Sequence, residues 1–269
     1  MHQEYRVWQP ERFTPRPSET GSFYLTSVKT VQQSLSPTTS ATFFALTFDI
    51  ALFTICADGG ANRLRDLQRG NIEEILYPIA ICGDLDSIRP DVEEYYRNLS
   101  VKIVKDPDQY STDLTKSLRY ASGKIAEIVA ENEDPRGLFD VAIFGSLGGR
   151  ADQAFSQLHH LYTHAQDALP MIGDLYLITA ESVIILLAKG KNRIHTPARA
   201  GLFTENVGII PIGRPSIITT HGLEWDVQDW HTEFGGQMST SNHIRADIID
   251  VETSERVLFT LELSRKAGD

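Results

Sequence analysis

The stretch Ile81-Cys82-Gly83-Asp84-Leu85-Asp86-Ser87 decides the fold of this chain. The apolar run Tyr77–Ile81 leads into it and is typical of a buried strand. Ser87 and Pro90 predict a helix after it, with Ser87 as the cap and Pro90 in the first turn. The two aspartates of the stretch are therefore expected where a strand gives way to a helix. That junction lies at the carboxyl edge of an open α/β sheet, where such folds bind ligands.

Asp84 and Asp86 flank Leu85, which we expect to turn back into the core while both carboxylates point outward. Two carboxylates at one sheet edge repel each other unless a cation joins them, and Mg²⁺ is the usual one. The alternative is a pair of solvated turn aspartates, which an isolated Asp-x-Asp does not exclude. The rest of the sequence has to decide between the two.

The composition excludes several classes of protein. The 269 residues can form one large domain or two ordinary ones, and a hydrophobic content of 41% suffices for a core. A net charge of −11 argues against a surface built for nucleic-acid phosphates. The longest apolar-rich window, Phe43–Ala57, is shorter than the ~20 residues of a membrane helix. Cys56 and Cys82 lie in apolar runs, which favours buried thiols in a reducing compartment. We expect a cytoplasmic protein with no signal peptide and no membrane or nucleic-acid partner.

Strand ends that carry acids or glycines recur three more times in the first half of the chain. They are Asp58-Gly59-Gly60 after Leu52–Cys56, the segment Asp108 to Asp113 after Val101–Val104, and the segment Gly145 to Asp152 after Phe139–Phe144. Because the carboxyl ends of parallel strands meet at one edge, we expect these groups to lie together. With scattered basic residues such as Lys116 and Arg150, they predict a site for Mg²⁺ and a polyphosphate. Neither a Walker-type phosphate loop nor a protein-kinase signature is present.

Residue patterns change after a strand predicted at Leu175–Thr179. Short β-rich runs separated by turn residues then continue to Arg256–Leu263, and one of them is His243–Val251. This spacing suggests an antiparallel sandwich. The predicted fold class is therefore α/β, a Rossmann-like parallel-sheet domain followed by an all-β sandwich. We place an irregular, Pro- and Ser-rich lead-in at residues 1–40, the α/β domain at 41–179 and the sandwich at 180–269. Within the lead-in, Phe23–Val28 is a candidate short strand.

Two helices of the first half are predicted from apolar periodicity. One begins near Thr112, and its apolar face at intervals of four and three residues is Leu114, Leu118, Ala121, Ile125 and Ile128. The other follows Arg150, and its apolar stripe is Phe155, Leu158, Leu161 and Tyr162.

Six blocks of the sequence resemble the thiamin pyrophosphokinase family in its eukaryotic form and occur in the family's order. They are Ala57–Leu64, Gly83–Pro90, Asp108-Gln109-x-x-Thr112-Asp113, Gly148-Gly149-Arg150-x-Asp152-Gln153, Gly222-Leu223-x-Trp225 and Ser239-Thr240-Ser241-Asn242. The resemblance implies transfer of pyrophosphate from ATP to the hydroxyl of thiamin, giving thiamin diphosphate and AMP. It also implies Mg²⁺, a first domain that binds ATP, a sandwich that binds thiamin, and a homodimer with the thiamin pocket between subunits.

The resemblance also assigns site residues by position. The implied Mg²⁺ ligands are Asp58, Asp84, Asp86 and Asp108. The implied catalytic residues are Asp84, Asp86, Asp108 and Asp113. The residues implied to bind ATP or thiamin are Asp58, Gly59, Gly60, Asn62, Gln109, Thr112, Lys116, Arg150, Asp152, Trp225, Ser239, Ser241 and Asn242.

Trp225 suits this role on chemical grounds as well. Thiamin carries a cationic aromatic ring, and an aromatic face attracts such a ring by ~0.5–2 kcal/mol. Ser239 and Asn242 offer small polar groups for its aminopyrimidine edge. Outside its sequence block, Trp225 would be interpreted as a core residue of the sandwich.

Tyr110 departs from the family pattern, because several members carry an acid at this position. Two alternatives to an active enzyme therefore stay open. One is a thiamin- or nucleotide-binding homologue impaired in catalysis. The other is a Mg²⁺-dependent phosphohydrolase that uses Asp84 and Asp86, although it would leave the Trp225 block unexplained.

Overall fold

The chain divides into two compact units, each described here from a computed structural model. The structure describes residues 4–10, 27–31, 51–69, 77–132, 138–145, 147, 149–197 and 201–264. The first unit is Ser18–Ala180, and the second combines Met1–Pro17, which contains strand β1 (Arg6–Trp8), with Glu181–Asp269. Gly148, part of one sequence block, lies outside the described residues.

The described part of the first unit contains a sheet of six parallel strands. They are β2 (Ser27–Val31), β3 (Phe53–Ala57), β4 (Ala80–Gly83), β5 (Lys102–Lys105), β6 (Phe139–Phe144) and β7 (Ile172–Ile178). Their spatial order is β7-β6-β2-β3-β4-β5, and every neighbouring pair is parallel. The chain builds outward from β2 to β5 and then returns to β6 on the other side of β2. The predicted Rossmann-like sheet is confirmed, with its topological switch between β2 and β6.

Helices cover this sheet. Those in the described residues are α1 (Gly60–Arg69), α2 (Pro90–Asn98), α3 (Asp113–Asn132) and α4 (Ala151–Gln166). Helix α1 packs against β2 and β3, α3 against β2, β3 and β4, and α4 against β7. Most of the predicted apolar face of α3 is buried, namely Leu114, Leu118, Ala121 and Ile125, whereas Ile128 is half-buried. No helix in the described part of the chain has the length and apolar character needed to cross a membrane.

The predicted stripe on α4 is partly wrong. Leu161 is buried, but Phe155 is 63% exposed and Gln157 takes a buried position instead. The side-chain oxygen of Gln157 accepts the backbone N–H of Leu147 at 3.0 Å. The helix therefore uses a buried amide to hold the loop after β6, and apolar periodicity cannot reveal a buried amide.

The described part of the second unit is built from β-strands. Its other strands are β8 (Ser182–Leu187), β9 (Gly190–His195), β10 (Phe203–Ile210), β11 (Ser216–His221), β12 (Trp230–Thr232), β13 (Ser239–His243), β14 (Ile248–Thr253) and β15 (Val257–Leu263). One set of strands has the order β1-β9-β14-β11-β12 and the other β13-β10-β15-β8. All of these pairs are antiparallel except β1 with β9. The predicted α/β fold with a β-rich second half is confirmed.

Two expectations about strands differ from the structure. The run His243–Val251 is two strands, because the chain bends between β13 and β14, where the N–H of Arg245 donates to Gly222. The lead-in also contributes two strands, β1 to the second unit and β2 to the middle of the parallel sheet. Trp8 of β1 is 2% exposed, and its Nε1 donates to Asn192 Oδ1 at 3.1 Å.

Candidate active site

Three carboxylates meet at the carboxyl edge of the parallel sheet. Asp58 follows β3, Asp84 follows β4, and Asp113 is the first residue of α3. One carboxylate oxygen from each lies within 4.8 Å of those from the other two. Oxygen donors grouped this closely suit a hard divalent cation. We call Asp58, Asp84 and Asp113 the acidic triad.

Asp58 is the buried member of the acidic triad, with 0% exposure and a left-handed φ of 40°. Its Oδ2 accepts the backbone N–H of Ser87 at 3.0 Å, and its Oδ1 accepts that of Ile88 at 3.1 Å. Burial raises the pKa of Asp58 to about 6, and the charge of Asp113 also raises it, against the lowering effect of the Ser87 hydrogen bond. A cation bound beside Asp58 would offset this cost of burying its charge.

Gly83, the last residue of β4, makes the approach of these side chains possible. A Cβ at Gly83 would lie 2.8 Å from the Cβ of Asp58 and 2.9 Å from Oδ1 of Asp113. The backbone N–H of Asp84 donates to that same Oδ1 at 3.3 Å. Leu85 has a φ of 66° and is only half-buried, so the expectation that it turns into the core is wrong.

Lys116 adds a buried positive charge to the acidic triad. Its side chain is 2% exposed, and its Nζ lies 3.3 Å from Asp113 Oδ1 and 3.8 Å from Asp84 Oδ2. Burial raises the pKa of Asp113, although the hydrogen bond from Lys116 lowers it. One lysine balances only one of three carboxylates, so the group keeps a net negative charge.

Asp86 lies beside the acidic triad but outside it. Its backbone N–H donates to Asp84 Oδ1 at 3.3 Å, and its exposed carboxylate accepts the hydroxyl of Ser87 at 2.8 Å. That hydrogen bond lowers the pKa of Asp86. The prediction that Ser87 caps α2 is wrong. Arg89 holds the N-cap position, and its side chain makes no capping hydrogen bond. Ser87 instead donates its N–H to Asp58 and its hydroxyl to Asp86.

Asp108, predicted as a metal ligand, has a different set of partners from the acidic triad. Its carboxylate accepts the N–H of Tyr110 at 2.9 Å and the hydroxyl of Ser111 at 2.5 Å, and it lies 3.6 Å from Arg119 Nη1. Asp108 therefore orders the loop between β5 and α3. Gln109 and Tyr110 are exposed in this loop, and Tyr110 is fully so.

Asn62 also has a supporting position in the structure. From α1, its amide nitrogen donates to the carbonyl of Ser87 at 2.8 Å, and its Oδ1 accepts the N–H of Arg89 at 2.9 Å. Asn62 thereby fixes the loop that carries Asp84 and Asp86. The predicted glycine turn is present, since Gly59 accepts the N–H of Asn62 and Gly60 begins α1.

The remaining predicted residues of the first unit lie at the starts of α3 and α4. Thr112 caps α3, because its Oγ1 accepts the N–H of Thr115 at 3.2 Å. Arg150 is the N-cap residue of α4, and its guanidinium binds the Asp152 carboxylate with two contacts of 3.1 and 2.5 Å. Arg150 and Asp152 are both exposed.

The second unit contains the predicted thiamin-binding residues Trp225, Ser239, Ser241 and Asn242. Trp225 is 55% exposed, so it is not a core residue. Asn242 is 4% exposed, its Oδ1 accepts the N–H of Trp225 at 3.1 Å, and its Nδ2 donates to the Trp225 carbonyl at 3.0 Å. Asn242 thus holds the backbone of Trp225. Ser239 is half-buried on β13, and Ser241 is exposed with a φ of 56°.

Comparisons with known proteins agree on one family. A model of the thiamin pyrophosphokinase catalytic domain matches residues 44–172, and one of the family's vitamin B1 binding domain matches residues 191–258. The chain belongs to the thiamin pyrophosphokinase family.

Individual family members align over most of the chain. Thiamine pyrophosphokinase 1 of Arabidopsis thaliana is 34% identical over 83% of this chain and 82% of its own. Thiamine pyrophosphokinase of Saccharomyces cerevisiae is 30% identical over 78% of this chain and 77% of its own. The solved thiamin pyrophosphokinase from Candida albicans superposes with a TM-score of 0.81 at 25% identity, covering 97% of this chain and 93% of that one. The resemblance stated from six sequence blocks is confirmed.

Sequence reasoning missed several parts of this family member's site. Asp113 was assigned to catalysis and not to the metal, although its place at the predicted start of α3 was the available signal. The close approach across Gly83 and the N–H groups of Ser87 and Ile88 were not identified. These roles belong to the backbone, and side-chain types in the sequence do not report them.

Proposed function

We propose that this chain transfers the pyrophosphoryl group of ATP to the hydroxyl of thiamin. The hydroxyl oxygen attacks the β-phosphorus, and the bond from that phosphorus to the oxygen bridging the α- and β-phosphates breaks. AMP leaves, the hydroxyl gives up its proton, and thiamin diphosphate forms. The observation that carries the proposal is the acidic triad at the ligand-binding edge of the sheet, in a chain of this family.

The residues of the acidic triad fit Mg²⁺, because every donor is a carboxylate oxygen and Lys116 leaves two negative charges unbalanced. Asp58, Asp84 and Asp113 would hold the ion, and Asp86 beside them is a further candidate ligand. When bound, Mg²⁺ neutralises charge on phosphate oxygens. We assign Asp108 to ordering the loop before α3 instead of to the metal.

The start of α1 is proposed to receive ATP phosphate. The positive end of a helix dipole attracts anions, and the first turn of α1 contains no acidic residue. Gly59 and Gly60 allow close approach of a ligand to this backbone. Lys116 and Arg150 are proposed as cationic groups for the polyphosphate, while Thr112, Gln109 and Asp152 shape the site around it.

Thiamin is proposed to bind the second unit at Trp225. More than half of Trp225 is exposed, which leaves aromatic surface for the cationic thiamin ring. Ser239 and Ser241 on β13 are proposed to offer hydroxyl groups, and Asn242 is proposed to act by holding Trp225. As the family resemblance implies, we propose a homodimer with thiamin at the subunit interface, and a cytoplasmic location that suits the buried Cys56 and Cys82.

The test is incubation of the purified chain with ATP, Mg²⁺ and thiamin, followed by chromatography. AMP and thiamin diphosphate should form in equal amounts, and only when all three components are present. Asp84→Asn should lower turnover by about 100-fold or more with the fold intact, since it removes a metal ligand. Asp91→Asn, at an exposed acid in the first turn of α2, is the matched control and should keep normal turnover.

Two other outcomes would favour the alternatives. Binding of ATP and thiamin without turnover would identify an impaired homologue, which Tyr110 and the separate position of Asp108 motivate. Release of phosphate from ATP without thiamin would identify a phosphohydrolase.

A further inference from the structure

The exposed ring of Trp225 rests against a histidine that ends β13. The ring centroids of Trp225 and His243 lie 4.9 Å apart with an interplanar angle of 42°. The side chain of His243 is 25% exposed, whereas Trp225 is 55% exposed. Part of the indole is therefore covered by the imidazole, and the rest remains open to a ligand.

His243 is itself fixed by a chain of charged groups. Its Nδ1 lies 2.7 Å from Glu224 Oε2, so that nitrogen carries a hydrogen and donates it. Arg245 binds the same Glu224 oxygen, and its Nη1 donates to Glu205 Oε2 at 2.6 Å. The side-chain contacts from Glu205 to Arg245, from Arg245 to Glu224 and from Glu224 to His243 thus set the orientation of the imidazole. Because Glu224 immediately precedes Trp225, these side-chain contacts connect the histidine to the loop that carries the tryptophan.

Trp225 is consequently held at two places by consecutive residues of β13. Asn242 bonds both backbone groups of Trp225, and His243 contacts its ring. An exposed indole without such a contact would sample several rotamers. A ring that is already oriented binds its ligand more tightly, because ordering it costs nothing at the moment of binding.

We propose that His243 is a positioning residue for thiamin recognition. Its imidazole holds the Trp225 ring in the orientation that receives the cationic ring of thiamin, and Glu224 and Arg245 hold the imidazole. The inference rests on the proposed function, because it takes Trp225 as the thiamin-binding aromatic.

His243→Ala should raise the thiamin KM, and the thiamin Kd measured calorimetrically without ATP, by about 3- to 10-fold. The ATP KM and kcat should stay within about twofold, because the proposed role of His243 concerns the binding of thiamin alone. His243→Phe keeps an aromatic ring against Trp225 and should restore most of the thiamin affinity. His195→Ala, at a half-buried histidine on β9 of the same unit, is the matched control and should leave the thiamin KM unchanged.

A double-mutant comparison shows whether His243 acts through Trp225. In a Trp225→Ala background, His243→Ala should cause no further rise in the thiamin KM. An equal rise in both backgrounds, or an effect of His195→Ala as large as that of His243→Ala, would overturn the inference while leaving the proposed function in place. An unchanged thiamin KM in Trp225→Ala itself would overturn both the inference and the proposed thiamin site.

Discussion

Gly83 occupies the point where the side chains of Asp58 and Asp113 leave no room for a Cβ. In Gly83→Ala both side chains must shift, because the added methyl would meet them at 2.8 and 2.9 Å. We expect a loss of about 1–3 kcal/mol in the free energy of unfolding, measured with urea. We also expect a higher Mg²⁺ concentration at half-maximal activity, since the acidic triad is displaced.

Gly123→Ala is the control for this substitution. Gly123 lies inside α3, and a Cβ there would meet nothing within 4 Å. Alanine should stabilise the protein by about 0.5–1 kcal/mol, because glycine is unfavourable inside a helix. If both alanine variants lose stability equally, the crowding at Gly83 does not explain its effect.

Lys116 balances part of the negative charge of the acidic triad when no metal is bound. Lys116→Met removes this charge and leaves Asp84 and Asp113 facing each other, so the metal-free protein should melt at a lower temperature. Because Mg²⁺ relieves the same repulsion, the rise in melting temperature on adding Mg²⁺ should be larger in the variant than in the wild type. Lys124→Met on the same helix removes an exposed pair with Glu127 and should change neither quantity measurably. A Mg²⁺-induced rise no larger in Lys116→Met than in the wild type would contradict this role.

At the scale of elements, the start of α3 is joined to α4 through a half-buried histidine. The cap residue Thr112 lies 2.8 Å from His160 Nε2 through its Oγ1. Burial lowers the pKa of His160 to about 4, and the nearby His159 contributes to the lowering. The folded protein therefore keeps His160 neutral at pH values where an unfolded histidine, with a pKa near 6.5, is charged.

This difference predicts a loss of stability on acidification. Between about pH 6.5 and pH 4 the unfolded chain binds a proton at His160 that the folded chain does not, so the free energy of unfolding falls as the pH falls. Urea titrations at pH 7.5 and 5.0 should show a decrease about 1–2 kcal/mol larger in the wild type than in His160→Asn. The exposed His159 provides the comparison, since His159→Asn should keep most of the wild-type decrease. Asp58 contributes with the opposite sign to the pH dependence of the free energy of unfolding. This contribution is the same in all three proteins, so it cancels in the comparison.

Helices, strands and turns were predicted correctly from the sequence where the local residue pattern matches the position of the segment in the fold. The strand Phe139–Phe144 and the acidic turn after β4 were predicted because apolar runs end there in Gly and Asp. The prediction failed for β1, and for β2 it gave a candidate short strand at Phe23–Val28 of which only the last two residues lie among those described. The short runs of both strands lie in Pro- and Ser-rich sequence and owe their strand form to distant partners. The metal role of Asp108 was carried over by position and stays a prediction. In the structure Asp113, at the start of α3, is the acid that joins Asp58 and Asp84 in the acidic triad.

At the scale of the whole molecule, the N-terminal strand completes the second unit. Alternate residues of a strand face opposite sides, and here Trp8 is buried while Val7 is 48% exposed. Trp8→Ala should lower the stability of this unit by about 3–5 kcal/mol and weaken thiamin binding. Val7→Ala should lower the stability by well under half of the loss expected for Trp8→Ala. Thermal unfolding of the full chain with and without thiamin measures both effects, and similar losses in the two variants would show that β1 is not part of the core.

The pairing of β1 with β9 has a consequence for biosynthesis. Trp8 and Asn192 are 184 residues apart in the chain, so the first strand leaves the ribosome long before its partner is translated. Residues 18–180 can meanwhile assemble their own sheet. Strand β1 must therefore wait for its partner strand while almost two hundred codons are translated, which gives a chaperone a long opportunity to engage this short segment.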